Sequence, residues 1–179
     1  TGIETEGPAF VYEEGQIKVD DTTMQLGDTA EAGVTLKDSS NPATAIPVPA
    51  KYLSFKVEDA TKATFRAGSM ESPGSDGFSL TKRNAAGVSN AVKVTLKGVA
   101  IGTTKLTAKL GAATAQGNIT VQPGTAGTFL SPDEMELFRG DTTGKEIKAI
   151  NRATGNPIPV SDLTVTFEDP AAPGTPITG

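Results

Sequence analysis

Apolar and polar residues alternate with period two in four clear stretches of the chain. Leu53, Phe55 and Val57 alternate with Ser54, Lys56 and Glu58, and Val92, Val94 and Leu96 with Lys93, Thr95 and Lys97. Leu106, Ala108 and Leu110 alternate with Thr107 and Lys109, and Gly117, Ile119 and Val121 with Asn118 and Thr120. Successive side chains of a strand point to opposite faces, so each stretch predicts a strand with one dry face and one wet face, as an antiparallel sandwich requires. Earlier strand candidates are Ile17 to Val19, Met24 to Leu26 and Ala32 to Leu36. Gly27-Asp28, Ser39-Ser40-Asn41-Pro42, Asn84-Ala85-Ala86-Gly87 and Gly102-Thr103 carry the residues that favour chain reversal. The stretch from Gly68 to Gly77 reads as the longest loop, with a tip expected to be mobile and open to proteases.

The pattern recurs. Met24-Gln25-Leu26-Gly27-Asp28-Thr29 returns as Met135-Glu136-Leu137-Phe138-Arg139-Gly140-Asp141-Thr142, and Ile46-Pro47-Val48 returns as Ile158-Pro159-Val160. Leu53 to Asp59 returns as Leu163-Thr164-Val165-Thr166-Phe167-Glu168-Asp169. An offset of about 110 residues is too long for a solenoid repeat and matches one β-sandwich module. The expected organisation is a lead-in over residues 1–14, a complete sandwich over 15–123 and the first half of a second over 124–179. Gln122-Pro123-Gly124-Thr125-Ala126-Gly127 marks the boundary, and so short a linker predicts neighbours lying end to end. The half module would leave the apolar positions around Val165 and Phe167 uncovered, which predicts either truncation of a longer chain or completion by another chain's strands.

Composition changes the picture in three ways. With no Trp, two Tyr and seven Phe, the core must be aliphatic, and 20 Gly with 12 Pro suit short strands and tight turns. Sixteen basic against 21 acidic residues give a net charge of −5 with no basic stripe, which disfavours nucleic acid and anionic membrane as partners. No apolar run approaches the roughly 18 residues of a membrane span, so no membrane insertion is expected. Thr1 in place of an initiator Met predicts a processed or excised piece. The absence of Cys excludes disulfides, thiolate metal sites and Cys nucleophiles.

Several motifs in order resemble those of a known family. Lys37-Asp38-Ser39-Ser40-Asn41-Pro42 leading to Leu53-Ser54-Phe55, and Ala153-Thr154-Gly155-Asn156-Pro157 leading to Val165-Thr166-Phe167, look like an Asp or turn, Asn-Pro and Val-x-Phe arrangement. Thr81 to Val88 with Val94-Thr95-Leu96, then Gly102 to Ala108 with Ala115 to Val121, continue it. Residues 15 to 169 thus resemble bacterial immunoglobulin-like domains of the intimin and invasin type (group 1), with features of group 2. The resemblance implies an all-β fold of tandem immunoglobulin-like antiparallel sandwiches, the second incomplete, on a bacterial surface. The segment between Pro42 and Leu53 is longer than usual and the Gly68 to Gly77 loop is an insertion, so a host-binding role for a loop does not carry over.

Candidate chemistry is sparse. Arg139-Gly140-Asp141 spells an integrin tripeptide, but Leu26-Gly27-Asp28 stands at the equivalent place in the repeat, so Gly-Asp reads first as turn chemistry. The acidic pairs Asp20-Asp21, Glu58-Asp59, Asp133-Glu134 and Glu168-Asp169 offer hard oxygens. Asp20, Asp21, Glu58, Asp59, Glu168 and Asp169 are the candidate Ca²⁺ ligands, although none has the spacing of a Ca²⁺ loop and solvated surface charge is the plainer reading. Lys18, Asn118 and Glu58 have the order of an isopeptide cross-link, but strand parity turns Lys18 and Asn118 outward. Asn118-Ile119-Thr120 is a glycosylation sequon inside a predicted strand, where it packs and pairs. With no His, no Cys, no nucleophile elbow and no phosphate or dinucleotide loop, an enzyme is not expected, and neither is a cofactor. Scarce aromatic rings weigh against a glycosidase or a sugar-stacking module.

The sequence therefore reads as a non-catalytic structural module of an extracellular bacterial cell-surface protein, an adhesin stalk or surface-layer subunit, acting as rigid spacer and assembly unit. Its expected partners are other copies of itself, neighbouring modules of the same kind, or a cell-surface or host ligand. The alternative is a domain of a phage or virion capsid or tail, and a glycan-binding module whose ligand meets the Gly68 to Gly77 loop is a third reading.

Overall fold

The computed structural model describes residues 16–38, 45–48, 52–82, 91–132, 146–159 and 161. The lead-in over 1–14, the Arg139-Gly140-Asp141 tripeptide, the Asp133-Glu134 pair, the Val165 and Phe167 positions and the candidate ligands Glu168 and Asp169 lie outside them. The described residues form an all-β structure without α-helix.

Ten strands build two sheets. The first holds β1 (Ile17–Val19), β3 (Thr29–Lys37), β8 (Val92–Gly98) and β6 (Ala63–Phe65) in the order β1-β3-β8-β6, with β4 (Ala45–Ile46) paired to the end of β3. The second runs β2 (Thr22–Gln25), β10 (Ala113–Gln122), β9 (Gly102–Leu110), β5 (Leu53–Val57) and β7 (Ser79–Leu80), in the order β2-β10-β9-β5-β7. All pairings are antiparallel except β2 with β10, which run parallel in the register Thr22↔Ile119 to Gln25↔Gln122. A two-stranded hairpin, β11 (Thr128–Ser131) with β12 (Lys148–Asn151), follows.

The alternation decides what each sheet buries. Ala32, Val34, Leu36, Val94 and Leu96 from the first sheet meet Leu53, Phe55, Leu106, Ala108, Ile119 and Val121 from the second in one core cluster. Phe55, fully buried, is the largest of these side chains, and burying a ring of that size is worth about 3 kcal/mol. Val48, also buried, seats the segment after β4 against the same core. The strands expected from the alternation are present, whereas β4, β6 and β7 span only two or three residues each.

The chain changes sheets between β1 and β2, and two glycines let it pass. Asp20 donates its backbone N–H to the Gly33 carbonyl at 2.9 Å. A Cβ on Gly33 would lie 2.7 Å from the Asp20 carboxylate, and one on Gly117 would lie 2.7 Å from the Asp20 carbonyl oxygen and 2.8 Å from Val19 Cγ1. The crossing segment is thus held between β3 and β10; at Gly117, where backbone closes in, a side chain has no room, whereas at Gly33 only the movable Asp20 carboxylate stands in the way.

Candidate functional site: a joint at the end of the two-sheet body

A set of long-range polar contacts holds the β11–β12 hairpin against the end of the two-sheet body. β2 ends in a turn in which Asp28 donates its N–H to the Gln25 carbonyl at 3.0 Å, with Gly27 in the left-handed region at φ 84°. Glycine adopts that conformation without steric cost. The missing side chain also makes a seat: a Cβ there would come within 2.9 Å of Phe129 Cγ on β11. In the turn beyond β12, at the same end of the pair because Asn151 pairs Thr128, Gly155, at φ 75°, faces Ile101 and Leu26, which a Cβ would meet at 3.3 and 3.7 Å. Phe129 and Ile101 pack on the same core cluster that includes Ile150 of β12.

Arg152 fastens this contact. It follows β12 in a turn capped by Asn151, whose Oδ1 accepts from the amides of Ala153 at 3.0 Å and Thr154 at 3.2 Å. From there the Arg152 side chain reaches back to the first body, donating from Nε to the Leu26 carbonyl at 2.9 Å and from its terminal nitrogen to the Asp28 carboxylate. Its backbone bridges the linker: Gly124 donates to the Arg152 carbonyl and Arg152 to the Gly127 carbonyl, each at 2.9 Å. Gly124 is open enough to admit the stem, since a Cβ would sit 3.1 Å from Arg152 Cβ and Nε. The Arg152 side chain is 23% exposed and that of Asp28 48%, so the guanidinium is mostly desolvated while its carboxylate partner stays wet.

The residues singled out in the sequence lie apart from this joint. Asp20 pairs with Lys18 at 3.1 Å. The Asp21 Oδ1 accepts from the Asn118 backbone amide at 2.7 Å and from its side chain at 3.2 Å, on the second sheet. Lys18 is exposed on the outer face of the first sheet and Asn118 on that of the second, so no isopeptide pair is assembled.

Glu58 lies at the end of β5, where the Thr107 hydroxyl donates to it at 2.6 Å and Lys56 pairs with it at 3.1 Å. The Thr107 hydrogen bond, followed by Lys56, holds the Glu58 carboxyl below its ordinary pKa. Asp59 is lowered as well, chiefly by the hydroxyl and amide of Thr61, both bonded to its Oδ1. Among the described residues no three of His, Cys, Asp or Glu are grouped to hold a metal ion. No helix among them is long and apolar enough to cross a membrane.

Sequence reasoning missed Arg152, because a lone arginine in a turn has no local pattern that names a partner 126 residues away. Gly27 was legible as a turn residue, but not as the seat of an aromatic ring.

No protein-family model matches the chain and no curated protein matches it. Among solved structures it is similar to the crystal structure of domains 4 and 5 of the S-layer protein SbsC, at 24% identity and a TM-score of 0.37, covering 59% of this chain and 50% of that one. It is also similar to domains 4–9 of that surface layer protein, at 21% identity and a TM-score of 0.42, covering 82% of this chain. A third similarity is to its domains 5–6, at 21% identity and a TM-score of 0.40, covering 74% of this chain. The chain spans about half of the first of those structures, 21% of the second and 59% of the third.

Proposed function

We propose that this chain is a non-catalytic structural module of a bacterial cell-surface protein, serving as a stiff spacer and assembly unit built from immunoglobulin-like sandwiches in tandem. The sheet orders β1-β3-β8-β6 and β2-β10-β9-β5 follow the ABED and GFC arrangement of immunoglobulin-type sandwiches, with β2 added beside the last strand. The hairpin favours a second copy of the same plan. Phe129↔Ile150 resembles the Ile17↔Leu36 pairing of β1 with β3, and the Ile150↔Pro157 bridge stands one residue from where the repeat would place the Leu36–Ile46 pair.

The observation that carries the spacer reading is the anchoring of Arg152 on the Leu26 carbonyl and Asp28. A flexible connector would leave the linker polar groups to water, whereas here Gly124, Gly127 and Arg152 satisfy one another across the joint. The body and the hairpin then move as one unit, and length along an array is preserved.

The Cys-free chain makes the test direct. Spin labels on Thr114→Cys and Ala153→Cys, at exposed positions of the sandwich and of the hairpin turn, should give one narrow distance distribution in the full chain. A broad distribution would remove the stiff spacer. Protease shaving of intact producing cells should release the chain, and its retention inside would remove the surface assignment.

A further inference from the structure

On the outer face of the second sheet, Thr107 of β9 stands between a carboxylate and a carboxamide. It lies directly opposite Gln116 of β10 on one side and Lys56 of β5 on the other. Its hydroxyl donates to Glu58 Oε1 at 2.6 Å and accepts from Gln116 Nε2 at 3.1 Å. Two lysines complete the group: Lys105 donates from Nζ to Gln116 Oε1 at 3.3 Å, and Lys56 pairs with Glu58 Oε2 at 3.1 Å. Each position suits one role in acyl transfer. A hydroxyl becomes a nucleophile beside a base that a third group orients, and a cation on the acyl oxygen stabilises the charge that develops there. We propose that Thr107, Glu58, Gln116 and Lys105 form a self-modification site at which the chain closes an ester cross-link between β9 and β10.

Thr107 Oγ1 attacks Gln116 Cδ, which is one C–N bond of about 1.3 Å from the nitrogen it already touches. The hydroxyl proton passes to Glu58 Oε1, and the Lys105 ammonium faces the oxyanion that forms on Gln116 Oε1. Collapse breaks the Cδ–Nε2 bond, Glu58 returns the proton to the leaving nitrogen, and one ammonia departs. Oxygen thus replaces nitrogen on Cδ, and no electrons leave or enter the chain. The ammonia is diluted into bulk solvent, which opposes the return reaction.

The sheet holds the reactants in place. Directly opposed residues keep their Cβ atoms about 4.5–5.5 Å apart, which a Cβ–Oγ–Cδ–Cγ–Cβ link spans without moving the backbone. Fixing both groups in one register replaces a bimolecular encounter by an intramolecular one. Thr107 is buried beneath Glu58 and Gln116, so water has little access to the ester once it is made. The structure is that of the chain before this step, with Thr107 still donating to Glu58. The carboxylate expected to assist a Lys18 to Asn118 bond thus serves a different pair, and a chain without Cys gains a covalent tie within its second sheet.

The cross-link goes beyond the spacer reading and stands without it. Its test is the intact mass of the full folded chain, followed from fresh to aged samples until it no longer changes. The mass should fall by that of one ammonia. Trypsin cuts after Lys105 and Lys109, so the peptide from Leu106 to Lys109 should stay joined to the peptide carrying Gln116. Hydroxylamine, which opens esters and spares amides, should release it. Glu58→Ala and Gln116→Ala should keep the full mass. A wild-type chain that keeps the mass of its sequence would overturn the cross-link, and so would a loss of ammonia that hydroxylamine leaves in place or that persists in Gln116→Ala. None of these outcomes alters the spin-label distances that test the spacer.

Discussion

Replacing Arg152 with Ala removes two contacts of unequal value. The Nε–H bond to the Leu26 carbonyl is made by a mostly desolvated charged donor, and hydrogen bonds of that kind contribute about 1.5–3 kcal/mol. The pair with Asp28 has a half-exposed partner, and surface ion pairs are worth about 0–1 kcal/mol. Arg152→Ala should therefore cost about 2 kcal/mol of hairpin docking, and Asp28→Asn less than about 1 kcal/mol. The first figure corresponds to roughly a 30-fold rise in the undocked population.

Native-state amide hydrogen exchange reads this locally. The Gly124 and Arg152 amides, bonded across the linker, should exchange roughly 30-fold faster in Arg152→Ala, while the β9 and β10 amides deep in the sheet keep wild-type rates. Arg152→Lys keeps the charge but lacks the planar fork, and should resemble the Ala variant. Equal acceleration by Asp28→Asn and Arg152→Ala would refute the assignment of the larger share to the Leu26 carbonyl. Unchanged exchange in every variant would refute the anchor itself.

Three further outcomes follow from single positions. The Thr22 hydroxyl is buried without a hydrogen-bond partner, so Thr22→Val should raise stability in urea denaturation by about 1 kcal/mol. Gly117→Ala drives a methyl into the Asp20 carbonyl and Val19, and should lower stability by about 1–3 kcal/mol with an unchanged denaturant slope. Glu58 has a lowered folded pKa, so its contribution is complete above the unfolded value and is lost as pH falls through the folded one. Thr107→Val should move the Glu58 carboxyl up towards its ordinary value in an NMR titration and flatten the acid limb of the stability curve.

The strands with four or more alternating residues were legible because period two is a local property that burial of one face enforces. Leu53 to Val57 and Leu106 to Leu110 show it in both the sequence and the burial of their inner positions. β6 and β7, with three and two residues, are too short to display a period and exist because longer neighbours pair with them. Thr107 marks a limit of parity: it points to the outer face as its position dictates, yet it is only 5% exposed, because Glu58 and Gln116 cover its hydroxyl. Gly117 read in the sequence only as an inward position of a strand and Gly33 drew no notice, because what approaches them, the crossing at Asp20, depends on tertiary path. The same holds for Arg152, whose partners are fixed by where two distant turns meet.

The principal acceptor of the Arg152 fork is a main-chain oxygen, which every residue at position 26 would present. That hydrogen bond therefore survives a change of side chain at position 26 that the core accepts, as long as Gly27 keeps its shape, whereas it does not survive loss of the guanidinium. Inheritance of the joint is one-sided: the downstream partner writes it, and the upstream partner supplies only a generic socket.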